Sequence, residues 1–194
     1  MKQENKIMAQ PLDQETCVFT TTEPVFENHS FYFSDHTKAQ GSPLVEKIFE
    51  VEGIKAVLVA HDKITITTEG TSDWYPVAMQ VGGKIREAVQ SDETLVSSTV
   101  LEGMPPEEEI RHKVMELFEG EINPTLAAHG GSVELIDVKG NEIFIKLGGG
   151  CQGCAMARLT LKNGIEKGIR ESVPAAGAIH DTTDHEIGEN PYHK

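Results

Sequence analysis

No run of apolar residues in this sequence approaches the roughly 20 needed to cross a bilayer as a helix, which excludes an ordinary membrane span. The opening residues, Met1-Lys2-Gln3-Glu4-Asn5-Lys6, are polar and lead into no apolar stretch. A secretory signal is therefore not expected, and an arginine-rich, acid-poor transit peptide is not expected either. A cytoplasmic protein is therefore expected. Aromatic residues are scarce at 6%, and hydrophobic residues at 38% fall slightly below a typical globular share, so small cores are expected rather than one large one. Bases are also few. Against 31 Asp and Glu stand 17 Lys and Arg, a formal charge of -14, with no local basic patch. Such a chain repels phosphate backbones, which argues against nucleic-acid binding. No Ser-His-Asp set stands out, and Gly148-Gly149-Gly150 is not followed by the Lys-Ser/Thr of a phosphate-binding loop. No enzyme is expected.

Cysteine is limited to Cys17, Cys151 and Cys154. An odd count at uneven spacing does not build a disulfide framework. In a reducing cytosol a Cys-x-x-Cys pair is more often a metal or redox site than a structural bridge.

What is present reads as an α+β chain of two small domains. Residues 1–15 are polar and expected to be loose. Residues 16–90 give a β-β-α-β-β-α order. Cys17–Thr22 and Ser30–Phe33 are rich in β-branched and aromatic residues and read as strands. Ser42-Pro43 starts a helix, with Ser42 as N-cap, and Gly53 stops it. Ile54–Val59 and Lys63–Thr68 form a hairpin about His61-Asp62. Asp73 caps a helix from Trp74 to Val89, weakened by Gly82-Gly83. Residues 91–106, with Ser97-Ser98 and Pro105-Pro106, read as a linker.

Residues 107–184 give α-β-β-α with a possible edge strand. Three glutamates open the first helix, where negative charge suits the N-terminus. Ile110, Val114, Leu117 and Phe118 line its buried face. Asn123-Pro124 interrupts it and His129-Gly130-Gly131 ends it. Ser132–Val138 and Glu142–Leu147 are strands about Gly140-Asn141. The helix after the cysteine pair carries Leu161, Ile165 and Ile169 as its stripe. Ala178–Thr183 is a candidate edge strand, and 185–194 a frayed tail.

Cys151 and Cys154 fall where a strand ends and a helix begins. Side chains at i and i+3 share one side of a turn, so the sulfurs can reach a common centre. Unpaired amides and the dipole of a helix N-terminus favour thiolates, the form that binds metal. Gly148, Gly149, Gly150 and Gly153 remove side-chain bulk beside the pair. Spacing alone leaves four readings: an iron–sulfur site, a thiol–disulfide oxidoreductase, a zinc-bridged dimer, and two incidental thiols. Iron–sulfur clusters usually take four thiolates. One chain offers two, so a symmetric homodimer sharing one cluster is the simplest complete site. A site split between subunits should also release its cluster readily.

The segment from Gly148 through Cys151-Gln152-Gly153-Cys154-Ala155-Met156, followed by Thr160-Leu161-Lys162-Asn163-Gly164-Ile165-Glu166, resembles the C-terminal domain of NifU shared by Nfu-type iron–sulfur proteins. Ile122-Asn123-Pro124 and Leu126 to Val133 resemble the same domain. Gly41-Ser42-Pro43-Leu44, Gly53 to Val57, Ile64 to Thr67 and Asp73-Trp74 resemble the Nfu N-terminal domain. The resemblance implies a [4Fe–4S] cluster, with [2Fe–2S] as the other possibility, held at a dimer interface by Cys151 and Cys154. It implies delivery to apo-proteins, supply by an upstream assembly scaffold, and recognition of partners by the first domain.

Other residues read as structural. Cys17 is a small buried hydrophobe. His129 suits a helix C-terminus, and Trp74 belongs to a core. His180, His185 and His193 lie scattered among acids, and Asp181 and Asp184 have no partner base or nucleophile. Gly164 and Gly168 would be explained by a close helix–strand or intersubunit contact of the last helix, or equally by ordinary tolerance of glycine there.

Overall fold

The computed structural model describes residues 6–70, 73–91, 94–149 and 155–183, except for the side chains of residues 28 and 155–163. The chain divides into two units, Met1–Gly103 and Met104–Lys194. Each has its own sheet and its own buried apolar cluster, an α+β arrangement in both.

The first unit contains strands β1 (Ile7–Pro11), β2 (Thr16–Thr21), β3 (Phe26–Phe33), β4 (Ile54–His61) and β5 (Lys63–Thr68), and helices α1 (Pro43–Phe49) and α2 (Trp74–Gln90). The sheet order is β1-β2-β5-β4-β3, antiparallel throughout. Period-two alternation decides its faces. Cys17 and Phe19 of β2, Val57 and Val59 of β4, and Ile64 and Ile66 of β5 are buried. They pack with Leu44 and Ile48 of α1 and with Val81 and Ile85 of α2. His61 turns the β4–β5 hairpin with φ 55°. The Asp73 carboxylate accepts from the Tyr75 N–H at 3.1 Å and caps α2, which runs unbroken through Gly82-Gly83.

Three features differ from the sequence reading. Residues 7–11, expected to be loose, form β1, so the unit is β-β-β-α-β-β-α. Their order comes from a non-local ladder with β2, from Ile7↔Thr21 to Pro11↔Cys17, and polar composition does not report such pairing. Pro11 is tolerated because β1 is an edge strand. Ser42 precedes α1 but makes no side-chain cap. It is fully buried, and its hydroxyl accepts from the Ser97 N–H at 3.1 Å. That bond belongs to the third difference: part of the segment read as a linker folds onto this unit. Val96 is buried in its core, Leu44 N–H donates to Leu95 C=O at 3.0 Å, and Ser98–Leu101 is a 3-10 turn.

The second unit runs α3 (Glu107–Leu117), a π-turn at Phe118–Ile122, α4 (Asn123–Ala127), β6 (Gly131–Lys139), β7 (Glu142–Gly149), α5 (Ala155–Ser172) and β8 (Ile179–Asp181). Glu107, Glu108 and Glu109 occupy the first turn of α3, and Glu109 pairs with Lys113 at 2.7 Å. β7 lies between β6, which is antiparallel to it, and β8, which is parallel. Ile143, Ile145 and Leu147 of β7 point into the core. Ile110, Val114, Leu117, Phe118, Ile165 and Ile169 meet them there. Among the described residues no helix is long and apolar enough to cross a membrane.

Candidate functional site

Cys151 and Cys154 lie outside the described residues. The structure does describe both elements that flank them. β7 ends at Gly149 and α5, of 18 residues, begins at Ala155. The chain therefore leaves the middle strand of the sheet and returns at a helix N-terminus. Unpaired amides and the helix dipole there favour negative charge.

The strand that leads to this segment is held on both sides. On the β6 side the last ladder pairs are Ser132↔Gly148 and Gly131↔Gly149. Gly149 has φ 61°, and a Cβ on it would overlap the Gly130 carbonyl oxygen. A Cβ at Gly148 would stand 2.5 Å from the Ser132 hydroxyl. Glycine at 149 is thus required by the backbone itself, beyond the freedom it leaves for a ligand. Asn123 steadies the start of β6. Its side-chain amide donates to the Val133 C=O at 3.0 Å and accepts from the Val133 N–H at 2.8 Å. On the β8 side the Leu147 N–H donates to the Thr183 hydroxyl at 2.7 Å, and the Thr182 N–H donates to the Ile145 C=O at 2.8 Å. The sequence reading missed Asn123 and Thr183. A hint for Asn123 is its place before Pro124 at the helix interruption; Thr183 offered none.

The remaining candidates have structural positions. Cys17 is fully buried in β2, and desolvation pushes its thiol up to about 11. It is a core side chain and stays a thiol at neutral pH. His180 meets Glu142 at 2.9 Å and stacks on Phe144 with ring centres 4.6 Å apart, which fastens β8 to β7. Asp181 accepts from the Thr183 N–H at 2.9 Å. His129 is exposed in the turn after α4, where its N–H donates to the Leu126 C=O. Trp74 is buried, with its indole N–H on the Asp13 C=O at 2.8 Å. A Cβ at Gly168 would stand 3.4 Å from Ile122, so α5 passes close to the π-turn there, whereas one at Gly164 would meet nothing. Asp184, His185 and His193 lie outside the described residues, as does the side chain of Leu161. Among the described residues, no group of three or more His, Cys, Asp or Glu is placed to hold a metal ion.

Two family models match. Residues 8–92 match the scaffold protein Nfu/NifU N-terminal domain, and residues 114–179 match the NifU-like domain.

The chain belongs to the Nfu-type proteins.

This Nfu-type chain is 45% identical over 85 residues to the Fe/S biogenesis protein NfuA of Pseudomonas aeruginosa, which covers 43% of this chain and 44% of that protein. It is 48% identical over 81 residues to NfuA of Stenotrophomonas maltophilia, 41% of each chain. It is 37% identical over 111 residues to NfuA of Xanthomonas euvesicatoria, 56% of each. These matches span about half the length of the curated relatives. Among solved structures, a NifU-like protein from Saccharomyces cerevisiae aligns with a TM-score of 0.44 at 16% identity, over 50% of this chain and 90% of that one. In the Nfu-type chain the NifU-like match takes in β6, β7, all of α5 and the cysteine pair that lies between β7 and α5 in the sequence.

Proposed function

We propose that this Nfu-type protein carries an iron–sulfur cluster to apo-proteins, with Cys151 and Cys154 as its ligands. One observation carries the reading. The Cys-x-x-Cys pair lies inside the NifU-like match, between the end of a central strand and the first turn of a helix. Relatives 45% and 48% identical over part of the chain are named for Fe/S biogenesis. Two thiolates per chain fall short of the four that a cluster usually takes, so two copies share one [4Fe–4S] cluster. A [2Fe–2S] cluster would satisfy the same four sulfurs. The cluster is cargo. Acceptor thiolates replace those of Cys151 and Cys154 one by one, iron–sulfur bonds form as others break, and no net electron transfer is needed. An upstream scaffold supplies the cluster, the first domain recognises partners, and the work is cytoplasmic.

Anaerobic reconstitution with iron and sulfide tests this. The expected product holds about four irons and four sulfides per dimer, absorbs in the visible, and restores activity to the apo form of a [4Fe–4S] enzyme. Cys151→Ser or Cys154→Ser should lose cluster and cluster-dependent dimer together. Full iron and sulfide in either serine variant refutes the ligand assignment. Zinc in place of iron after anaerobic purification favours the structural dimer, and rapid insulin reduction favours the oxidoreductase.

A further inference from the structure

The double glycine of α2 is not used by the proposed cluster chemistry, and Gly82 lines an open groove of the first unit. A groove of about 450 Å³ runs between β1 and α2. Ile7, Ala9 and Pro11, alternate residues of β1, line one side. Tyr75, Met79 and Gly82 line the other, and Tyr75 and Met79 are 78% and 66% exposed. Apolar side chains this exposed along a concave surface mark an interaction site more often than a solvated face.

The charge pattern says what kind of partner fits. Arg86 is the single charged residue lining the groove among the described residues. The other charged side chains of α2 are engaged with α1: Lys84 with Glu50, and Glu87 with Lys47 at 2.6 Å. Arg86 makes no ion pair among the described residues. The chain as a whole is acidic and attracts bases at long range, but the fixed charge inside the groove is a cation. Its contact partner is a carboxylate.

The layering says what shape fits. β1 is the edge of the sheet, and α2 packs over β1 and β2. From Tyr75 to Arg86 the lining follows α2 for roughly 16 Å, about three turns. A helix laid beside α2 over β1 would continue the helical layer across the sheet and seat apolar side chains at i, i+3/i+4 and i+7.

We propose that the β1–α2 groove docks a short amphipathic helix of a partner protein, with apolar side chains over Ala9, Ala78 and Gly82 and a carboxylate on Arg86. This site is independent of the cluster-carrying proposal, because it is tested on metal-free protein.

Gly82 provides a clean probe. A Cβ placed there meets nothing within 4 Å, so the backbone at Gly82 accepts a side chain that enters the groove. Helix propensity favours Gly82→Leu, and the variant's melting temperature is the control for the fold. The full chain, metal-free, is titrated into fluorescein-labelled 14-residue helical peptides with leucines at that spacing. The peptides carry a glutamate at one end or the other, or lysine in its place, and anisotropy is read. A glutamate peptide should bind roughly tenfold more tightly than its lysine counterpart. Arg86→Glu should reverse that preference. Gly82→Leu should weaken binding roughly tenfold while its melting temperature does not fall. Equal binding of the two peptide types, indifference to both substitutions, or no binding below about 1 mM overturns the proposal. So does metal-free self-association that Gly82→Leu abolishes, which would assign the groove to a second copy of the chain.

Discussion

At Gly149 the backbone turns through a left-handed φ while lying against the carbonyl of Gly130. A side chain there faces two obstacles, an unfavourable backbone region and a backbone atom that cannot rotate away. Gly149→Ala should therefore cost about 2–4 kcal/mol of unfolding free energy, measured by urea denaturation. Gly148→Ala should cost less, because its obstacle is the rotatable Ser132 hydroxyl. The glycine run was visible in the sequence, but this distinction within it depends on which strand lies alongside. Cys17 was legible because a lone cysteine in an alternating strand has few other places to go, and its burial agrees. Asp137 was not legible. It sits at a bulge in β6, where it accepts from the Arg111 guanidinium at 2.9 Å and from the Val138 N–H at 2.9 Å. The guanidinium hydrogen bond first, and the backbone one after it, hold its carboxyl below the usual range near 4. The stabilisation is present in full above that range and is lost as pH falls through the lower, folded-state value. Melting temperature followed from pH 7 downward should show an acid-side decline that Asp137→Asn makes shallower.

Elements marked by local turn, cap or strand chemistry were read from the chain, and two that carry no such mark were not. The hairpin at Gly140-Asn141 and the start of α2 at Asp73 follow from turn and cap chemistry within a few residues. β1 exists because β2 lies beside it, and the docking of Leu95 to Ser97, with Val96 buried, exists because Ser42 and Leu44 meet that segment. α5 shows the same division. Its stripe of Ile165 and Ile169 is periodic and legible, but its two glycines look alike in sequence and differ in space. Gly164→Ala should stabilise the protein by about 0.5–1 kcal/mol, since the new methyl meets nothing. Gly168→Leu should destabilise it, because α5 would have to move off Ile122 and Leu117. Thermal melts of the two variants should shift in opposite directions.

At the scale of the whole chain, two separate apolar clusters support two folding units. A fragment ending at Gly103 and one beginning at Met104 should each melt cooperatively by circular dichroism; loss of the transition in either would mean that the units need each other. The two-domain α+β plan was legible because Pro105-Pro106 and the change in periodicity punctuate the chain. The cysteine pair was legible as a candidate from spacing and glycine context, while its two residues lie outside the described ones. The parallel docking of β8 on β7 bears also on how the protein is made. The first unit has all its strands once Thr68 has left the ribosome, whereas the second lacks its final strand until Asp181 follows. During that interval β7, which adjoins the cysteine segment, is a raw sheet border. Translation that stalled before Ile179 would leave a nascent chain with its thiols beside an adhesive edge.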